Sequence, residues 1–164
     1  MKPVIRKATI RDIDQIFKLY FEFHEFHAKN ISHYLASMGR PDDRTNSELV
    51  KTLTEIIEGE NSSIFTAEVS GYLVGLVEIY LRQDDPSNHY IRHHHYGHLQ
   101  SLVVSEQHRG QGIGKLLVET AYQWAKCKGA DEIRLDVWEF EAGLLGFYER
   151  LGYHTIKRTL AKEL

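Results

Sequence analysis

The sequence predicts a mixed α/β fold, a central sheet covered by helices, on three observations. Two amphipathic helical stretches come early, two β-rich segments form a hairpin in the middle, and a β-α-β-α-β alternation completes the chain. Residues 4–7 read as a short extended segment. Thr9 and Asp12 then stand at capping-box spacing before a helix. Ile13, Ile16, Phe17, Tyr20, Phe23, His24 and His27 recur every three or four residues, which gathers them on one side of that helix. The polar run 39–46 breaks the pattern, and 47–58 resumes it with Leu49, Leu53, Ile56 and Ile57 before Gly59 ends it.

Residues 64–69 and 73–81 are rich in β-forming side chains, and Ser70-Gly71-Tyr72 between them predicts a tight antiparallel turn. A polar, histidine-rich loop follows. Beyond it the pattern predicts a largely buried strand over 99–104, a helix over 110–128, a strand over 133–137, a helix over 141–151 and a closing strand over 153–159.

The 164 residues suit one domain, 1–164, and 42% hydrophobic with 26% charged residues is the balance of a folded globular chain. Twenty Lys plus Arg against 23 Asp plus Glu give a net charge of −3, so no global field attracts nucleic acid. The single cysteine, Cys127, excludes an intrachain disulfide. With no secretory leader pattern and no apolar run near the roughly 20 residues that cross a bilayer, a cytoplasmic location away from membranes is expected.

Most informative is the stretch from Leu102-Val103-Val104 through Arg109-Gly110-Gln111-Gly112-Ile113-Gly114-Lys115 into a helical pattern carried by Leu116, Leu117, Ala121 and Trp124. The first turn of a helix carries N–H groups without intrahelical partners, and its dipole favours negative charge there. Glycines at 110, 112 and 114 let a phosphate lie against the main chain, and Arg109 and Lys115 add charge. The spacing fits neither the dinucleotide fingerprint, which needs a third glycine where Lys115 stands, nor a P-loop, since Leu116 follows the lysine.

Arg109, Gly112 and Gly114 instead match the Q/R-x-x-G-x-G/A motif, and this chain resembles the GNAT acetyltransferase superfamily. Leu135-Asp136-Val137-Trp138-Glu139-Phe140 and Phe147-Tyr148-Glu149-Arg150-Leu151-Gly152-Tyr153 are similar to its second motif. The resemblance implies a mixed, mostly antiparallel sheet and acetyl-CoA as cosubstrate. It also implies that the main chain of Leu102, Val103 and Val104 pairs with the pantetheine, while Arg109, Gly110, Gln111, Gly112, Ile113, Gly114 and Lys115 hold the pyrophosphate. The acyl acceptor is then a small-molecule or protein amine, and a homodimer is compatible with the family.

Acetyl transfer needs a neutral amine, a stabilised oxyanion and a proton for the departing thiolate. By resemblance Tyr148 is the proton donor. Relatives commonly place the base where this chain has Gln100, an amide that cannot accept the proton. His98 and Glu78, the polar interruption of an apolar strand, are the alternative base candidates. Glu141 stands where the family often has asparagine. The histidines His89, His93, His94, His95 and His98 match no zinc spacing, so no metal is expected. The alternative function is a noncatalytic acyl-CoA sensor.

Overall fold

The computed structural model describes residues 2–37, 47–141 and 143–163. Its elements run β1 (Val4–Lys7), α1 (Ile13–Asn30), α2 (Ser47–Glu58), β2 (Ser62–Val69), β3 (Tyr72–Gln83), β4 (His95–Val104), α3 (Ile113–Cys127), β5 (Glu132–Arg134) and α4 (Leu145–Arg150). The strands form one sheet in the order β1-β2-β3-β4-β5. All neighbours are antiparallel except β4 and β5, which are parallel and joined through α3.

Helices cover both faces. On one, Ile113, Leu117, Ala121 and Ala125 of α3 pack with Val77, Ile79, Leu99 and Leu102 of the sheet, and Tyr148 of α4 joins them. On the other, Ile16 and Leu19 of α1 and Leu53, Ile56 and Ile57 of α2 pack with Ile64, Leu76 and Val103. The hairpin turn is two residues, Ser70 and Gly71, both with positive φ, which matches the right-handed twist of the strands it joins.

Several boundaries depart from the sequence expectation. Strand β4 starts at His95 rather than 99, because Tyr96, Gly97 and His98 pair with β5. Helix α3 starts at Ile113 rather than 110, since Gly110 and Gly112 take the left-handed conformation. Strand β5 ends at Arg134 rather than 137, and α4 covers only Leu145–Arg150. Residues 153–159, expected as a closing strand, pair with no other strand among the described residues. Ile156 of this segment and Leu160 just beyond it are exposed, so the alternation there buries no apolar face. Cys127 at the end of α3 is exposed. The polar break at 39–46 lies outside the described residues.

The start of α1 is tied down electrostatically. The Thr9 N–H donates to Asp12 at 2.7 Å, and Arg6 donates to both Asp12 oxygens at 2.8 Å. Arg6 also pairs with Glu68 of β2 at 2.8 Å, which locks the helix entry to the sheet edge. The Arg6 guanidinium holds the Asp12 carboxyl down at about 2, against burial. A depressed acid stabilises the fold above its unfolded value of 3.8 and loses that contribution as pH falls toward 2. Replacing Asp12 with Asn should therefore cost about 1–2 kcal/mol at neutral pH, a gap that closes between pH 4 and 2 in urea titrations.

Candidate functional site

Strand β4 loses its partner halfway along. Its ladder to β5 ends at His98 opposite Arg134, and the chain after β5 turns away, leaving the edge of β4 over 99–104 open on that side. Such an edge presents backbone N–H and C=O groups to whatever lies in the gap. Arg134 stands at the parting. Its guanidinium donates to both oxygens of Asp84 at 2.6 and 3.0 Å and to Glu132 at 2.6 Å, and it lies 4.1 Å over the Tyr96 ring. Asp84 also accepts the His94 N–H at 3.0 Å, so the histidine-rich loop is folded back onto β5. Among the described residues no histidine joins a group arranged to hold a metal ion.

At the far end of β4 the chain makes a single 3-10 turn, Glu106–His108, and enters the glycine segment. Gly110 and Gly112 have φ of 74° and 80°, a conformation that glycine adopts without steric cost. A Cβ at either position would meet nothing within 4 Å, so the space in front of the loop is open. The first helical bond of α3 is Leu116 N–H to Gly112 O at 3.2 Å. The six consecutive N–H groups from Gly110 to Lys115 thus have no partner among the described residues. The loop supplies donors, helix dipole and clearance together, a combination suited to an anion.

Individual contributions differ from the sequence expectation in two ways. The Arg109 N–H is spent on Glu106 O, and its guanidinium donates to Val104 O at 2.9 Å, stacks over Phe26 and lies 3.6 Å from Glu22 of α1. It therefore braces the loop against β4 and α1. The side chains of Leu102, Val103 and Ile113 are core residues, leaving only their main chain for a ligand. Gln111 and Lys115 are exposed. A pocket of about 430 Å³ bordered by Lys2, Gln107, His108 and Gln111 adjoins the loop, but Glu78, His98 and Tyr148 lie outside it.

Tyr148 is 5% exposed, in edge contact with Phe147 and Tyr153, and Phe147 in turn lies against Gly114 of the glycine segment. Its hydroxyl has no hydrogen-bond partner among the described residues yet is not sealed from solvent. Burial, reinforced by Tyr153, pushes the phenol well above its ordinary value, so the group keeps its proton. A buried ring with a free, protonated hydroxyl is the form a proton donor requires.

On the α1 face of the sheet the register aligns Glu78 with Ser101 and Tyr80 with His98, while Gln100 is the extra residue of a β-bulge in β4. Glu78 is 6% exposed and accepts hydrogen bonds from Tyr20 of α1 at 2.6 Å and from Tyr80 at 2.5 Å. His98 is held low by burial and by Arg82, with Asp136 4.0 Å away and Gln100 pulling the other way. The two base candidates thus share one sheet face, whereas Tyr148 belongs to the α3 side. Tyr80 was legible as the residue two along from Glu78 on the same strand face. Tyr20, 58 positions away, carried no signal beyond its place in a helical stripe.

The model of the acetyltransferase (GNAT) family matches residues 13–153, and the chain belongs to that family. It is similar to human N-acetyltransferase 8B, 37% identical over 92 residues, which are 56% of this chain and 38% of that protein. It thus spans well under half the length of that relative. A mutant of the BH1408 protein from Bacillus halodurans superposes with a TM-score of 0.84 at 25% identity, covering 98% of this chain and 99% of the other. The fold is also that of AAC(6')-Iy in complex with the bisubstrate analogue CoA-S-monomethyl-acetylneamine, with a TM-score of 0.74, 18% identity, and 100% and 99% coverage.

The positive φ at Gly112 supplies a matched control, because Gly129 at the other end of α3 has φ of 83° and equally open surroundings. Valine at either should strain the backbone to a similar degree. Calorimetry on folded protein should show acetyl-CoA affinity falling at least tenfold in Gly112→Val and staying within a few-fold in Gly129→Val. Equal losses would place the phosphate elsewhere.

Proposed function

We propose that this chain is a single acetyltransferase domain that moves the acetyl group of acetyl-CoA directly to a primary amine. The observation that carries the reading is the run of six unpartnered N–H groups at the glycine cradle, continuous with the open edge of β4. Pyrophosphate on the cradle places the pantetheine arm along the main chain of Leu102, Val103 and Val104, where its amides replace the missing strand. The thioester then comes to the point where β4 and β5 part, between the tyrosine of α4 and the polar row on β3 and β4. No helix of the described residues is long and apolar enough to cross a membrane.

Each step has a group suited to it. Tyr148 gives its proton to the departing sulfur. His98 receives the proton of the acceptor amine, or Glu78 does so through an intervening group. The acceptor is a small-molecule or protein amine.

Acetyl-CoA should raise the thermal midpoint by mass action, and release of free thiol should identify the acceptor from a panel of amines. Binding without thiol release from any amine would leave a noncatalytic acyl-CoA sensor. Tyr148→Phe should lower the single-turnover rate by roughly 10²- to 10⁴-fold with acetyl-CoA affinity within a few-fold. Because the hydroxyl it removes has no hydrogen-bond partner among the described residues, the denaturant midpoint should barely move. An unchanged chemical rate would take Tyr148 out of the mechanism.

A further inference from the structure

We propose that Tyr80 and Glu78 form a two-residue relay that takes the proton of the acceptor ammonium, with Tyr20 of α1 as its positioning residue. The proposal rests on the amine-acetyltransferase reading above. Both Glu78 oxygens are engaged, Oε1 by the Tyr80 hydroxyl and Oε2 by the Tyr20 hydroxyl, and the residue is 6% exposed. An amine cannot reach that carboxylate without displacing a tyrosine. Tyr80 is only partly buried and lies opposite His98, within cation–π distance of Arg82 and on the row that carries Gln100. Its hydroxyl connects the buried acid to the polar row of His98, Arg82 and Gln100.

The surroundings explain why the carboxylate has two donors. Ile64 of β2, Leu76 of β3 and Val103 of β4 surround it, with Leu53, Ile56 and Ile57 of α2 in the same apolar cluster. A carboxylate there is costly unless its oxygens are hydrogen-bonded, and the two phenols meet that cost. The polar or titratable groups facing it are Tyr20 from α1, Tyr80 and Arg82 from β3, and His98 and Ser101 from β4. Burial and the adjoining carboxylate push both phenols upward, so neither ionises as a resting base. Tyr80 passes a proton only as it receives one.

The balance is as follows. An ammonium N–H bond breaks and its proton goes to the Tyr80 oxygen as the Tyr80 proton goes to Glu78 Oε1, leaving a neutral phenol and a carboxylic acid. The amine lone pair attacks the thioester carbon and the C–S bond breaks. The thiolate takes the Tyr148 proton, and Tyr148 is restored by the second proton released from the nitrogen. Glu78 returns its proton to solvent through Tyr80, so one proton is released per turnover.

The test compares two acceptor probes in single-turnover transfer between about pH 6 and pH 9: spermidine, cationic at neutral pH, and hydroxylamine, largely neutral there. Tyr80→Phe should lose roughly 10²-fold with spermidine at neutral pH, recover as pH rises toward the amine's own pKa, and stay within a few-fold with hydroxylamine. Glu78→Gln should show the same pattern, and Tyr20→Phe a weaker version of it. Since Glu78→Gln puts an amide in a packed core, Tyr80→Phe, which keeps the ring, decides the matter, with acetyl-CoA affinity as the check on folding. Equal losses on both probes, or none on spermidine, would overturn the relay. So would the pH signature appearing in His98→Gln while Tyr80→Phe is unaffected. Wild-type protein that binds acetyl-CoA but acetylates neither probe would overturn the transfer reading and the relay with it.

Discussion

The bidentate contact between Arg134 and Asp84 is the constraint around which the site is built. It sits at the last residue pair of the parallel ladder, with Glu132 and the Tyr96 ring holding the remaining faces of the guanidinium. A planar guanidinium satisfied on several sides is rigid in a way that a lysine would not be. The strand that would otherwise continue beside β4 is turned away, and the freed edge runs straight into the glycine segment. The gap and the anion cradle are therefore parts of one continuous backbone feature.

The two faces of the sheet divide the work. The α3 side is apolar apart from the buried Ser63 and carries the rigid seat for the glycine segment, since Ile113, Leu117 and Ala121 are fully or almost fully buried beneath it. The α1 side buries less cleanly because Glu78, Ser101, Tyr80 and His98 occupy positions that a purely structural sheet would fill with aliphatic residues. Such a departure from the simple burial pattern is expected where function competes with stability. Helix α1 links the parts: Asp12 anchors its start, Tyr20 reaches Glu78, and Glu22 accepts the Glu106 N–H at 2.8 Å and faces Arg109.

Helices α1, α2 and α3 were legible because their apolar residues recur at helical spacing over three or more turns. The hairpin was legible because Ser70-Gly71 supplies the backbone conformation its turn demands. The glycine segment was legible because a strand, glycines and a helix in succession have few other uses. Less visible were β5 and α4, elements of three and six residues whose limits depend on Arg134 and on the contact between Phe147 and Gly114 rather than on periodicity. The expected strand over 153–159 failed for a related reason. Alternation describes a strand's faces but does not provide a neighbour to pair with.

The sequence by itself determined the class of fold, the family resemblance and the strand-glycine-helix segment, because each is written in local spacing and backbone preference. It also singled out Glu78, as an acid among apolar neighbours, and Tyr148, by its place in a motif. Only the tertiary structure decided what those residues touch. Tyr20 and Glu78 are far apart along the chain, and Arg109 proved to be a brace toward α1 rather than a free charge over the loop. Contacts of that range are set by how the helices pack onto the sheet and by a one-residue bulge at Gln100, neither of which has a period that a linear pattern can display.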